Sequence, residues 1–295
     1  MNVLDIEVPE ATLSLWQGWL APDVQPFFLS EQVAAQLPPT GDHSNTPVLR
    51  GLPPLVFKPH SIRDTFEVWN IDTSLRTLWM DETEFMTLSK RTRAQLVRAQ
   101  VVHGRGAVPT VRRWSDLFDV GLLRAQADGY RFVWWPSLIA ARPRDVLRRV
   151  ISDANAPSRH REVSAETWSR CADALPAAQH LAGTFAAGSG PNCFGTVMAA
   201  AGVANAEDVW MQQEPFDNWL SESTTAGGDY CASGTVLIWR NTLGVALHAA
   251  VSIGDGWVLE KASQGWLSPR SILAVADVVR TGRRNGAHLQ RHSIY

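Results

Sequence analysis

Along the carboxyl-terminal half of the chain the spacing of apolar positions changes twice. In "GPNCFGTVMAAAG", Phe194, Val197, Met198 and Ala201 recur at helical intervals and Gly202 supplies a stop, so the pattern predicts a short helix opening at Cys193. Farther on, "GTVLIWR" (234–240) and "VALHAAVSIGDGWVLEKAS" (245–263) read as β-runs, the second folded into a hairpin at Gly254-Asp255-Gly256. Helix, strand, then hairpin is an α+β order.

Upstream, Asp81 with Glu84 three positions later is a capping-box signature heading a helix through "FMTLSKRTRAQLVRAQVVHG", which Gly104 would end. Further helices are expected at 115–127, 144–153 and 164–175, and "YRFVWWPSLIA" reads as a strand. The proline-rich stretch "QLPPTGDHSNTPVLRGLPP" reads as irregular structure. "ISDANAPSRHREVS" is polar and aperiodic, which places a boundary near Arg159. It divides a helix-rich amino-terminal domain (1–160), whose role, recognition or regulation, the sequence does not name, from a carboxyl-terminal domain (161–295).

Composition narrows the class. With 295 residues, 45% hydrophobic, 19% charged and a net charge of −2, the chain reads as a folded protein with no global electrostatic case for nucleic acid. Three cysteines, Cys171, Cys193 and Cys231, are an odd number without metal-ligand spacing, so neither a disulfide scaffold, a metal nor another cofactor is expected. "MNVLDIEVPEATLSLW" lacks the features of a signal peptide, and the uncharged stretch Ala174–Ala206 is broken by Pro176, Pro191 and Asn192, so no membrane span is expected. The expected location is the cytoplasm, unless a dedicated secretion system exports the protein. The basic run Lys90–Arg113 reads either as a face for an anionic partner or as a solvated surface, and the balanced total charge favours the latter. Trp134, Trp135, Trp16 and Trp19 read as core.

Cys193 carries the candidate chemistry. A thiol attacks as thiolate, and the unpaired N–H groups at a helix start favour that form. Asn192 is a good cap and Pro191 breaks the chain before it, which seats Cys193 in the first turn. The bland alternative is a buried cysteine that only packs. Cys231 sits in a glycine-rich loop without a helix start, Cys171 reads as packing, and His180 as a local histidine.

A base would come from the hairpin. Val245, Leu247, Ala249, Val251 and Ile253 form one apolar face, and His248 lies on the other among Ala246, Ala250 and Ser252. If Gly254-Asp255-Gly256 is a three-residue loop, Ala250 faces Glu260, and Glu260 is diagonal to His248 on the same face. If the loop is Asp255-Gly256 alone, Lys261 takes that place, and lysine has no lone pair to orient the imidazole. The first register keeps Trp257 and Leu259 on the apolar face and is the more sensible of the two.

A cysteine at a helix start, "GTVLIW", then "HAAVSIGDGWVLEKAS" resembles the NlpC/P60 group of papain-like cysteine peptidases over roughly 181–279. "NCFG" stands where that group has "DCSG", "SGT" where it has "GDL", and Glu260 where its third catalytic residue is often histidine. Cysteine before histidine argues against the permuted, lecithin-retinol-acyltransferase-like branch. The resemblance implies a papain-like NlpC/P60-type domain, a helix packed on an antiparallel sheet. It further implies an amidase or peptidase using Cys193, His248 and Glu260 on a peptide or protein substrate, with bacterial cell-wall stem peptides as the suggested class. The protein would then be either a delivered effector or a hydrolase of an intracellular peptide. The alternatives are a non-catalytic binding module on the same scaffold, and an acyltransferase or deamidase using the same residues.

Overall fold

Short amphipathic segments gather the chain into two compact units, Pro9–Leu147 and Met1–Val8 with Arg148–Tyr295. The computed structural model describes residues 1–37, 49–50, 59–282 and 287–295. The proline-rich stretch expected to be irregular lies mostly outside the described residues.

The Pro9–Leu147 unit has an antiparallel sheet of three strands, with Arg76–Asp81 between Val24–Leu29 and Leu49–Arg50. Phe27, Phe85, Leu96, Val97 and Trp135 fill its core. The capping box forms: Asp81 Oδ1 accepts from Glu84 N at 2.8 Å, and Glu84 Oε2 accepts from Asp81 N at 2.9 Å. The helix it heads ends at Thr87, however, because Ser89 caps a second helix, Lys90–Val102, by accepting from Thr92 N at 3.1 Å. The helix expected at 115–127 shortens to Val120–Gln126, capped by Asp119. "YRFVWWPSLIA" is not a strand. Pro136 begins the helix Pro136–Ala140, and the extended residues before it serve packing, with Trp134 edge-on to Trp114 at 4.6 Å and Trp135 against Phe85 at 5.4 Å. Part of the basic run is interior. Arg105 is 4% exposed, lies over the Phe66 ring and donates to Gln25 Oε1 at 2.8 Å, and burial pushes its pKa down to about 9.

The other unit is a mixed α+β fold around a six-stranded antiparallel sheet. Its principal elements are α1 (Ala165–Cys171), α2 (Cys193–Ala200), α3 (Gln213–Ser223), β1 (Thr224–Ala226), β2 (Thr235–Arg240), β3 (Ala246–Gly254), β4 (Trp257–Lys261), β5 (Arg270–Ala274), α4 (Val275–Gly282) and β6 (His288–Ile294). The strand order is β5-β4-β3-β2-β6-β1. Alternation sends Val236, Ile238, Ala249, Val251, Leu259 and Ile272 into one core with α2, and Leu237, Trp239, Ala250 and Val258 into another beneath Val275 and Val278 of α4. Fully burying each large aliphatic side chain contributes about 1.5–3 kcal/mol, so two covered faces give this small sheet its stability.

The polar stretch at 151–164 is part of this unit and does not link two domains. Arg159 N donates to Ile272 O at 2.8 Å, and Ser158 Oγ accepts from Ile272 N at 3.1 Å, so the segment is stitched to β5 and the division falls instead at Leu147/Arg148. No described helix is long and apolar enough to cross a membrane.

Candidate active site

The sequence around Cys193 fixes both ends of α2. At the start, Asn192 Oδ1 accepts from Gly195 N at 3.1 Å, while its Nδ2 donates to Met211 O at 2.8 Å. At the end, Gly202 has φ +92°, Val203 N bonds Met198 O at 3.0 Å and Gly202 N bonds Ala199 O at 2.9 Å, which is a Schellman closure. A glycine is required at 195, because a Cβ there would lie 2.3 Å from Ala206 O. Cys193 is the first residue of the helix and is 8% exposed.

The hairpin register places the other two residues. Ala250 pairs with Glu260, Val251 with Leu259 and Ser252 with Val258. The turn itself is the two-residue Asp255-Gly256, both at positive φ (51° and 79°), the type that suits a right-twisted hairpin. Left alone, that turn would bring Lys261 opposite Ala250. A β-bulge between Ser252 and Gly254 absorbs one residue and restores Glu260 to His248's face. A second irregularity lies beside the histidine. His248 pairs with Trp239 and Ala246 with Arg240, which leaves Leu247 as the extra residue. Leu247 (49%) and Val245 (37%) are therefore turned outward, whereas periodicity assigned them to the core face, and Ala246 is buried instead.

His248 Nε2 lies 3.1 Å from Glu260 Oε2, with the two side chains 24% and 13% exposed. Cys193 acts on the same ring electrostatically, favouring its protonated form. Burial is the strongest single influence and works to lower the His248 pKa. The Cys193 charge and hydrogen bond, followed by those of Glu260, outweigh it and push the value up from 6.5 to about 10. The Trp239 ring packs against His248 at 5.3 Å and is buried. A cavity of about 610 Å³ opens beside the pair, lined by His248, Glu260, Trp239, Leu247, Val278 and Arg280 among others; Cys193 is not in its wall.

The structure thus pairs His248 with Glu260 and sets Cys193 within electrostatic reach of the ring, and it leaves the other candidates apart. Cys231 is exposed in its loop, with its N–H on Asp229 Oδ1 at 2.9 Å. Cys171 is buried, donates to Trp168 O at 3.3 Å, and has its thiol pKa pushed up by burial. His180 is exposed on the short helix Ala178–Leu181. Among the described residues no cluster of His, Cys, Asp and Glu could hold a metal. Trp239 is the site neighbour that sequence reasoning missed; the signal was there, since a strand ending in "LIWR" one hairpin before His248 puts a large ring across the ladder from it. What the geometry offers is a sulfur at a helix start, an imidazole whose protonated form is favoured, and a carboxylate holding the far nitrogen, which is the equipment for nucleophilic acyl transfer. Compared with protein-family models, curated proteins and solved structures, the chain matches none.

Proposed function

We propose that the protein is a cysteine amidase or peptidase with a papain-like, NlpC/P60-type carboxyl-terminal unit. The observation that carries this reading is a single constellation: Cys193 opens α2 and engages His248, whose Nε2 is held by Glu260. Helix packing against an antiparallel sheet, with the histidine on β3 and the carboxylate on β4, supports the same reading.

The chemistry follows from the roles. The Cys193 thiolate attacks the carbonyl carbon of an amide to form a tetrahedral oxyanion. His248 then gives its proton to the nitrogen as the C–N bond breaks, releasing the amine and leaving a thioester on Cys193. Water, deprotonated by the now neutral His248, attacks the thioester; the acid leaves and the thiolate–imidazolium pair is restored. Glu260 holds the ring and favours its charged form throughout. Substrates of the reading are peptides, with bacterial cell-wall stem peptides first and intracellular peptides or proteins second.

The test is to incubate wild type and Cys193→Ala with purified cell-wall fragments and with cell lysate, and to identify products by mass spectrometry. New amine and acid termini with wild type alone support the reading. Identical products from both proteins, or none from either alongside slow labelling of Cys193 by a thiol reagent, overturn it and favour a binding module on the same scaffold. Acyl products carrying an added amine acceptor in place of water identify a transferase.

A further inference from the structure

Lys261 is the last residue of β4, directly after Glu260, and is 0% exposed. Burying an ammonium is expensive and is tolerated where hydrogen bonds compensate it. Lys261 Nζ donates to Ser263 O at 2.5 Å and to Gly265 O at 2.9 Å, and so cross-braces the turn by which the chain leaves the sheet. The turn is tightened further by Gly265 N on Ser263 Oγ and Ser263 N on Ser268 Oγ, both at 3.2 Å. Between the two carbonyls held by the ammonium lies Gln264, whose own carbonyl accepts from Gly190 N at 2.9 Å. Gly190 begins the buried run Gly190-Pro191-Asn192-Cys193, and its φ of +120° is a conformation that glycine alone adopts freely.

A continuous covalent and hydrogen-bonded path therefore runs from the residue that orients His248 to the residue that carries the sulfur: Glu260, Lys261, the turn at 263–265, Gly190, Asn192, Cys193. We propose that Lys261 is a positioning residue, whose buried ammonium fixes the loop in front of Cys193 relative to the His248–Glu260 pair. This rests on the catalytic reading above for its purpose and on geometry for its substance. The sulfur and the imidazole stand on elements distant in sequence, and a displacement of about 1 Å between such groups costs on the order of a hundredfold in rate. An apolar residue at 261 would fill the same space and leave the two carbonyls without their donor.

The experiment uses the full chain and three variants: Lys261→Met, which keeps the stem and removes the donor; Lys261→Gln, which keeps donating hydrogens without charge; and Lys261→Arg. Two readouts are needed. Hydrogen exchange at the Gly190 amide reports the brace, with the β2 and β3 amides as internal controls. The rate of Cys193 alkylation across pH 5–9 reports the sulfur–imidazole geometry. The expected result for Lys261→Met is rapid exchange at Gly190 with the strand amides still protected, and labelling slowed at least tenfold at low pH, with Arg restoring part of both. If Met does not fold, Gln carries the comparison. Slow Gly190 exchange and wild-type labelling in a folded Met or Gln variant overturn the proposal, as does rapid Gly190 exchange in wild type. Wild-type Cys193 labelled no faster than Cys231 would overturn the catalytic reading instead, leaving the brace to be judged by exchange alone.

Discussion

His248 Nε2 and Glu260 Oε2 stand 3.1 Å apart on adjacent strands, held in that relation by the pairing of Ala250 with Glu260. A carboxylate in this place supplies an acceptor that fixes the ring and a charge that favours the imidazolium. Glu260→Gln keeps an acceptor and removes the charge, so the His248 pKa, which stands at about 10, should fall and the alkaline limb of the kcat/KM profile should move to lower pH. Each unit lost corresponds to about 1.4 kcal/mol, roughly tenfold in the ion-pair population. His248→Ala removes the proton carrier and should cost about 10²–10⁴-fold. Equal losses in the two variants, measured on the same substrate, would assign the orienting role to another group.

Cys193→Ala should abolish turnover while leaving the fold intact, and it should also change how stability depends on pH. His248 titrates near 6.5 when exposed and near 10 in the fold, and it does so coupled to the thiol it faces. A raised pKa means that folding favours the protonated ring. The resulting stabilisation is present in full below about pH 6.5 and is lost as pH climbs through about 10. Thermal melting of wild type should therefore drop across that window, and Cys193→Ala, which lacks the principal raising influence, should show a shallower drop. Parallel melting curves for the two proteins would mean that the sulfur and the ring do not interact.

Local signals carried much of this site. The helix at Cys193 was legible because cap, periodicity and glycine stop agreed, and Glu260 was placed correctly opposite Ala250 by asking which register buried Trp257 and Leu259. The route to that register was not legible. The turn is two residues long, and the bulge that corrects it at Ile253 answers to packing on both sheet faces, which no local pattern encodes. The same holds at Leu247, where strict alternation gave the wrong face. "YRFVWW" reads as β because aromatic bulk mimics strand propensity, yet Phe132, Trp134 and Trp135 are buried in the core of the Pro9–Leu147 unit without forming a strand. No local pattern marked Lys261 as interior; the return of 263–265 supplies the carbonyls that its buried ammonium meets.

Gly195→Ala tests how closely α2 must approach the 206–209 segment. Helix propensity alone favours alanine by about 1 kcal/mol. The added Cβ would meet Ala206 O at 2.3 Å and Val209 O at 3.2 Å, and overpacking of this kind typically costs about 1–3 kcal/mol. The clash should win, lowering the melting temperature and slowing Cys193 labelling as the first turn shifts. A variant more stable than wild type would show that the helix is seated farther from 206–209.

The carboxyl-terminal residues form an inner strand of the sheet. β6 pairs with β2 from His288↔Arg240 to Ser293↔Thr235, and with β1 on its other side. β2 in turn carries Trp239, the ring packed on His248, so the tail is one strand removed from the candidate site. Gln290 is exposed and pairs with Ile238, which makes it a site where the backbone can be altered with little change in packing. Gln290→Ala removes the acceptor that Oε1 offers Arg240 Nε at 3.0 Å, and proline removes that acceptor and a ladder N–H besides, so proline should cost roughly 1–3 kcal/mol more than alanine. Denaturant unfolding of the two variants separates the cases. If proline is as mild as alanine, β6 is not paired in solution, and Trp239 is held behind His248 without it, by Ala250, Val258 and α4.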